Sequence, residues 1–375
     1  MGRTLGSLNK IRRARTGLKA LGVLAICTLA ASGPMAVGKP QQGGTPGQLA
    51  KATPTYREYT DETGRLVKVP QNVERIVSLA PSLTETVYAL GLQEHLVGDT
   101  DYCDYPPDAQ KKTKVGGAQN PSIEEVASLH PDLVLVTKAL NRFETVRALD
   151  DLKIPAYATD PHTIEDVVTS TARLAEVLGA PQAGVTLAGE LEERLAELQQ
   201  RVGDLPAKRV LFVVWTEPLI TVGKNTFIAD ALRKAGAISI VDTAQDWPQI
   251  SLEEVVRLQP EFLIIAAHDI SNSPADLEAL TARPGWHSLE AVRNRKFAVI
   301  SEAVNRPAPR IVAAIEELAR KLHPEAFPEN SPSTPSKDKP EKEKSGPDAN
   351  PPGPAKNLLA RNCAAELNEG DSCNR

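Results

Sequence analysis

Two stretches of this chain are near copies of one another: Ser122 to Val136 reads SIEEVASLHPDLVLV, and Ser251 to Ile265 reads SLEEVVRLQPEFLII. Ser, a Glu pair, Val, Leu and Pro recur at matching offsets, and each copy closes on an apolar run. A unit that reads helix then strand cannot bury its apolar face alone. A repeat at this spacing therefore implies two similar α/β lobes built on one plan, with a cleft between them.

The bulk numbers allow this. With 41% hydrophobic and 24% charged residues in a chain of 375, there is apolar material for one or two cores once the ends are set aside. The formal net charge of −5 and a pI near 5.8 leave no basic stripe to neutralise phosphates, which argues against nucleic acid as the main partner. Only the N-terminus is strongly basic: Lys10, Arg12, Arg13, Arg15 and Lys19 precede an apolar run from Ala20 to Ala31, then Gly33-Pro34. That run is well short of the ~20 residues a spanning helix needs, so residues 1–38 read as a secretory signal peptide cleaved near Ala36 to Gly38. A twin-arginine signal at Arg12-Arg13 and a lipid anchor at Cys27, which the bulky Ile26 precedes, are weaker readings. The mature protein is expected outside the cytoplasm, periplasmic or associated with the cell surface. It retains Cys103, Cys363 and Cys373; the last two could pair within the tail, leaving Cys103 free and buried, and no cysteine spacing fits zinc.

Residues 39–55 form a Gly-, Gln-, Thr- and Pro-rich linker, and 56–72 an N-terminal β-hairpin turning at Asp61-Glu62-Thr63-Gly64. An N-terminal lobe covers 73–162. It opens with a strand at Arg75 to Ala80 and a helix capped by Ser82 or Thr84 that ends at Gly91. Connecting helices fill 163–205, where Ala183 to Val202 carries Leu187, Leu191, Leu195 and Leu198 on one face. At 1.5 Å per residue this helix spans ~30 Å, enough to join the lobes stiffly. A C-terminal lobe covers 206–324, and the Pro-, Ser-, Lys- and Glu-rich tail 325–375 is too polar to order itself. The fold class is α/β, with mostly parallel central sheets in two lobes joined by a single long rigid helix.

Catalytic templates are absent: there is no Gly-x-Ser-x-Gly, His-Glu-x-x-His or Gly-x-Gly-x-x-Gly, and Gly223-Lys224 lacks the rest of a phosphate loop. Ser122 with Glu125, and Ser251 with Glu254, satisfy the capping-box pattern. That leaves Glu124 and Glu253 at the second helical position. There they either complement the helix dipole or, one per lobe, address a two-fold symmetric partner bearing arginines. Aromatic residues are only 4% of the chain. Tyr102, Trp215 and Trp247 nonetheless fall at or beyond strand ends, where a ring can stack on a flat ligand; core packing is the competing account, strongest for Trp215. Arg306 reads equally as a ligand contact or a surface ion pair. His268-Asp269 could reach the cleft, although a loop or packing role is the commoner fate of such a histidine.

At these residues the sequence resembles the iron-siderophore and cobalamin class of periplasmic substrate-binding proteins of ABC importers. The resemblance rests on Arg75 to Glu85 (RIVSLAPSLTE), Tyr102 to Pro107 (YCDYPP), Val115-Gly116-Gly117, both Glu-Glu repeats and Trp247-Pro248-Gln249, and it covers roughly Val73 to Leu322. It implies two α/β lobes with limited closure on ligand, and Glu124 and Glu253 docking onto arginines of the permease dimer. It also implies Tyr102, Trp247, Glu302 and Arg306 as ligand contacts of a corrinoid binder, with Trp215 added here from its position. Thr137 departs from the cobalamin-binding pattern, which has another aromatic there. The expected protein is a monomeric, non-enzymatic carrier with no resident cofactor or protein-held metal, whose cargo is a corrinoid or related metal chelate. A ferric siderophore or haem is the alternative cargo. Readings of other classes are an extracytoplasmic corrinoid-processing enzyme and a sensory or adhesive module.

Overall fold

The computed structural model describes residues 55–266 and 281–328. The signal segment, nearly all of the linker, His268-Asp269 and all but the first residues of the tail, with Cys27, Cys363 and Cys373, lie outside the described residues.

The hairpin pairs β1 (Tyr56–Thr60) with β2 (Leu66–Pro70) in antiparallel register. The N-terminal lobe follows as β3 (Ile76–Ser78), α1 (Pro81–Ala89), β4 (Leu96–Asp99), β5 (Thr113–Lys114), α2 (Ile123–Ser128), β6 (Leu133–Thr137), α3 (Phe143–Asp151) and β7 (Ala156–Thr159). Its five strands are all parallel, in the order β5-β4-β3-β6-β7. Two helices, α4 (Ile164–Val177) and α5 (Pro181–Val202), lead to the C-terminal lobe. That lobe comprises β8 (Lys208–Val213), β9 (Trp215–Thr216), β10 (Leu219–Ile220), α6 (Phe227–Lys234), β11 (Ala237–Ser239), α7 (Leu252–Leu258), β12 (Phe262–Ala266), α8 (Glu290–Arg293), β13 (Phe297–Ile300) and α9 (Ile311–Leu322). Its main sheet is again wholly parallel, ordered β11-β8-β12-β13.

The repeat maps onto α2–β6 and α7–β12, and in each lobe the repeat strand pairs with the strand that opens the lobe. Both repeat strands are buried on two faces, which is why they read as unbroken apolar runs. Leu133 and Leu135 of β6 enter one core and Val134 and Val136 another; in β12, Ile264 and Ala266 go one way, Leu263 and Ile265 the other. The copies share their fastenings too. Asp132 accepts from the amides of Glu74 and Arg75 at 2.9 Å, and Glu261 accepts from the amide of Arg209 at 2.9 Å. Arg75 and Arg209 in turn donate to the carbonyls of Leu129, the C-cap of α2, and Leu258, the last residue of α7.

Helix starts differ from expectation in two respects. Neither Ser82 nor Thr84 caps α1: Pro81 begins that helix, and both hydroxyl residues are buried within it. Thr84 donates instead to Ser78 Oγ at 2.9 Å and stands 3.2 Å from Cys103 Sγ. At α2 and α7 only the serine half of the capping box is made, from the amides of Glu125 and Glu254. Glu254 turns to Arg257 at 2.9 Å. The full reciprocal box stands at Thr163 and Asp166, at the head of α4.

The lobes are joined by more than the long helix. The first half of α4 (Ile164, Val167, Val168) packs in the C-terminal core, and its second half (Leu174, Ala175, Val177) in the N-terminal core. The chain then reverses, and α5 carries Leu191, Leu198 and Val202 back into the C-terminal core. Each such apolar side chain contributes roughly 1.5–3 kcal/mol by burial. Close approach of the helices depends on Gly184, where an added Cβ would lie 2.4 Å from Ala175 Cβ.

A half-buried cation fastens the loop after β4. Lys114 Nζ reaches Asp99 Oδ1 at 2.8 Å and the carbonyls of Cys103 and Ala109 at 3.1 Å each. Asp99 is fully buried, and burial pushes its carboxyl up to about 6 despite the lysine. Cys103 is a buried free thiol, raised by burial to about 11.

Two predictions follow from packing and charge. Gly184→Ala should lower the urea midpoint, while Gly189→Ala in the same helix, where nothing lies within 4 Å, should raise stability by about 0.5–1 kcal/mol. Equal shifts of the same sign would contradict the close-packing account. Because the folded pKa of Asp99 lies above its unfolded value near 3.8, folding takes up a proton between them: this contribution is complete below pH 3.8 and lost as pH rises through about 6. The stability of wild type relative to Asp99→Asn should thus improve by on the order of 2–3 kcal/mol as pH falls from 7 to 4. Paired urea titrations across that range read the difference.

Candidate functional site

In open parallel sheets ligands bind outside the carboxyl ends of the strands. Here those edges of the two sheets meet, because residues following β3, β4 and β13 make contact across the lobes. Arg306 Nη1 donates to Glu85 Oε1 at 2.8 Å and to Asp104 Oδ1 at 2.7 Å. Arg310 grips Glu85 with both arms, Nε to Oε2 at 2.9 Å and Nη2 to Oε1 at 2.8 Å, and its guanidinium lies 3.8 Å from the centre of the Tyr105 ring. Glu302 completes the group, 3.4 Å from Arg306 and 3.7 Å from Arg310. Burial pulls the pKa of Arg306 down, but its hydrogen bond to Asp104 and the charges of Glu85 and Glu302 more than reverse it; at Arg310, Glu85 does the same.

All five expected ligand contacts follow strand carboxyl ends, and an ion pair joins two of them, Glu302 and Arg306. Tyr102 is half-buried on the loop after β4, which Asp101 ties to the Gly116 carbonyl at 3.0 Å. Trp215, in β9, is 41% exposed, so core packing does not account for it; its indole N–H donates to the Glu217 carbonyl at 2.8 Å. Trp247 is half-buried and leans on the C-terminal core. Its loop is held along the 220–224 segment: Gly223 N donates to Asp246 O at 2.8 Å and Thr221 N to Pro248 O at 3.1 Å. A Cβ on Gly223 would fall 1.8 Å from Gln245 O, so this glycine serves close backbone approach. Arg306 is neither an open ligand contact nor a surface ion pair in this structure; it is engaged by both lobes.

Glu124 and Glu253 are both exposed. Their helices begin level with strand carboxyl ends, since Ser122 N donates to Val115 O, whose own N–H meets Asp99 O, and Ile250 N donates to Leu219 O beside β8. The two acids thus occupy equivalent places in the two lobes.

Several residues escaped sequence reasoning. Glu85 and Arg310 have no local mark beyond the four-residue spacing of Arg306 and Arg310, because their partners lie 221 and 225 positions apart. Phe143, the first residue of α3 just beyond β6, is 70% exposed and adds an aromatic to the N-terminal rim. Thr137 is buried, its hydroxyl donating to Thr159 O at 3.3 Å. Among the described residues no group of three or more His, Cys, Asp or Glu side chains is arranged to hold a metal ion.

Comparison with known proteins agrees with this geometry. The vitamin B12-binding protein of Vibrio parahaemolyticus is 30% identical over 256 residues, which cover 68% of this chain and 90% of that protein. The crystal structure of the periplasmic vitamin B12 binding protein BtuF of Vibrio cholerae superposes with a TM-score of 0.59 at 29% identity, covering 67% of this chain and 96% of that one. The periplasmic heme-binding protein RhuT from Roseiflexus sp. RS-1, in apo form, gives a TM-score of 0.61 at 26% identity over 68% of this chain and all of that one. Residues 76–304 match the family described as periplasmic binding protein, and the chain belongs to that family.

Proposed function

We propose that this protein captures a corrinoid, or a closely related metal chelate, outside the cytoplasm and delivers it to an ABC importer. The observation that carries the reading is the seam where residues beyond the carboxyl edges of the two parallel sheets meet, Arg306 and Arg310 on Glu85 and Asp104; Tyr102, Trp215 and Trp247, which also follow strand ends, are proposed to rim it. Flat rings at the rim suit a broad, planar macrocycle. The vitamin B12-binding relatives favour a corrinoid, and the heme-binding neighbour keeps a porphyrin as the second reading. The chelate is cargo, and no chemical step is required of the protein.

Glu124 and Glu253 are proposed to meet arginines on the permease. Each sits on an exposed face at the head of an equivalent helix, so one monomer can address both halves of a two-fold partner. The basic and then apolar N-terminal segment supports export of the chain.

Calorimetric titration with cyanocobalamin, haem and a ferric siderophore tests the cargo: cyanocobalamin should bind most tightly, and no heat with any of the three would end the carrier reading. Trp247→Ala should weaken cargo binding by about 2 kcal/mol or more, as loss of an aromatic anchor does. In the double variant Glu124→Ala with Glu253→Ala, cargo affinity should be unchanged while stimulation of the reconstituted importer falls. Loss of cargo affinity instead would remove the docking assignment.

A further inference from the structure

The group of charges between the lobes has a definite hierarchy. Glu85 lies deepest, with its side chain 3% exposed, and both of its oxygens are taken by guanidinium N–H groups. Arg306 and Arg310 are 14% and 17% exposed, Glu302 20%, and Asp104 is the most open at 35%. Among the described residues, three carboxylates face two guanidinia in these ion pairs. Asp104 meets Arg306 through Oδ1.

We infer that Glu85 is a positioning residue that satisfies both arginines from beneath, and that Asp104 consequently selects cargo by peripheral charge. The seam accepts a chelate whose rim offers N–H donors, as primary amides do, and rejects the same chelate when its rim carries carboxylates. An acidic rim finds both guanidinia engaged. To reach Arg306 it must displace Asp104, bringing a further carboxylate up against Asp104, Glu85 and Glu302. An amide rim needs no displacement: its N–H can donate to Asp104 while its carbonyl meets a guanidinium edge. This inference rests on the seam being the cargo cleft. It goes further by naming the chemistry that chooses among chelates and the residue that imposes the choice.

The test uses ligand pairs that differ in peripheral charge: cyanocobalamin against its monocarboxylic acids, made by hydrolysing one side-chain amide, and haem against its dimethyl ester. Wild type should bind the uncharged member of the pair it recognises roughly tenfold or more tightly, and added salt should narrow that gap. Asp104→Asn, nearly isosteric, should reduce the gap to within roughly threefold, chiefly by gaining affinity for the acid. Glu85→Gln, confirmed folded by circular dichroism, should also shift preference toward the acid, which loss of packing alone would not do. Should it unfold, the Asp104→Asn titration decides. Equal affinities in wild type, a preference for the acid, or a gap that survives Asp104→Asn overturns the inference. If only the haem pair binds, the corrinoid reading fails while the charge comparison still stands or falls on that pair. If neither pair binds, both fall.

Discussion

The structure depends on the packing of α4 against α5. The chain crosses between lobes to begin α4, returns along it, and crosses again along α5, so apolar side chains of both helices are shared between the two cores. Bending the joint would expose Leu174 or Leu191 on one side and crowd Gly184 against Ala175 on the other. Interiors packed to this density yield little to continuous deformation. The seam of charges adds a second tie: Glu85 with Arg306 and Arg310 joins the lobes at the carboxyl edges of their sheets. Removing either arginine would leave Glu85 with one guanidinium in place of two at a buried site, a costly loss of compensation.

Within each lobe the duplication runs deeper than the repeated motif. An acid after the repeat proline, Asp132 or Glu261, holds the amides at the start of the opening strand, and an arginine at that start, Arg75 or Arg209, closes the repeat helix. These fastenings sit at the amino edges of the sheets. The loops of the seam lie beyond the opposite edges, and there the lobes differ: Tyr102, Asp104 and Tyr105 on one, Trp215, Trp247, Glu302 and Arg306 on the other. A shared scaffold with unlike rims is how one architecture serves different ligands.

Periodicity and repetition made the lobes, the parallel sheets and the spanning helix legible, because these follow from which faces must be buried. Short elements were less so. The three-residue β11 carries too little pattern to be read as a strand, and α1 offers two hydroxyl residues that mimic caps but serve the interior. The site was legible as positions at strand ends and not as partnerships. Arg306 reads locally as a cation in a loop; only the fold brings it to Glu85 and Asp104 from the other lobe. Residues far apart in sequence and close in space leave no periodic trace, and a single sequence holds no other record of them.

A body whose halves share two helices and a buried knot of ions should alter its outline little on taking up or releasing a ligand. A receptor feeling only its outer surface would meet nearly the same object in either condition. Any difference that it reads must then lie with side chains left open to water, as Phe143 and Trp215 are.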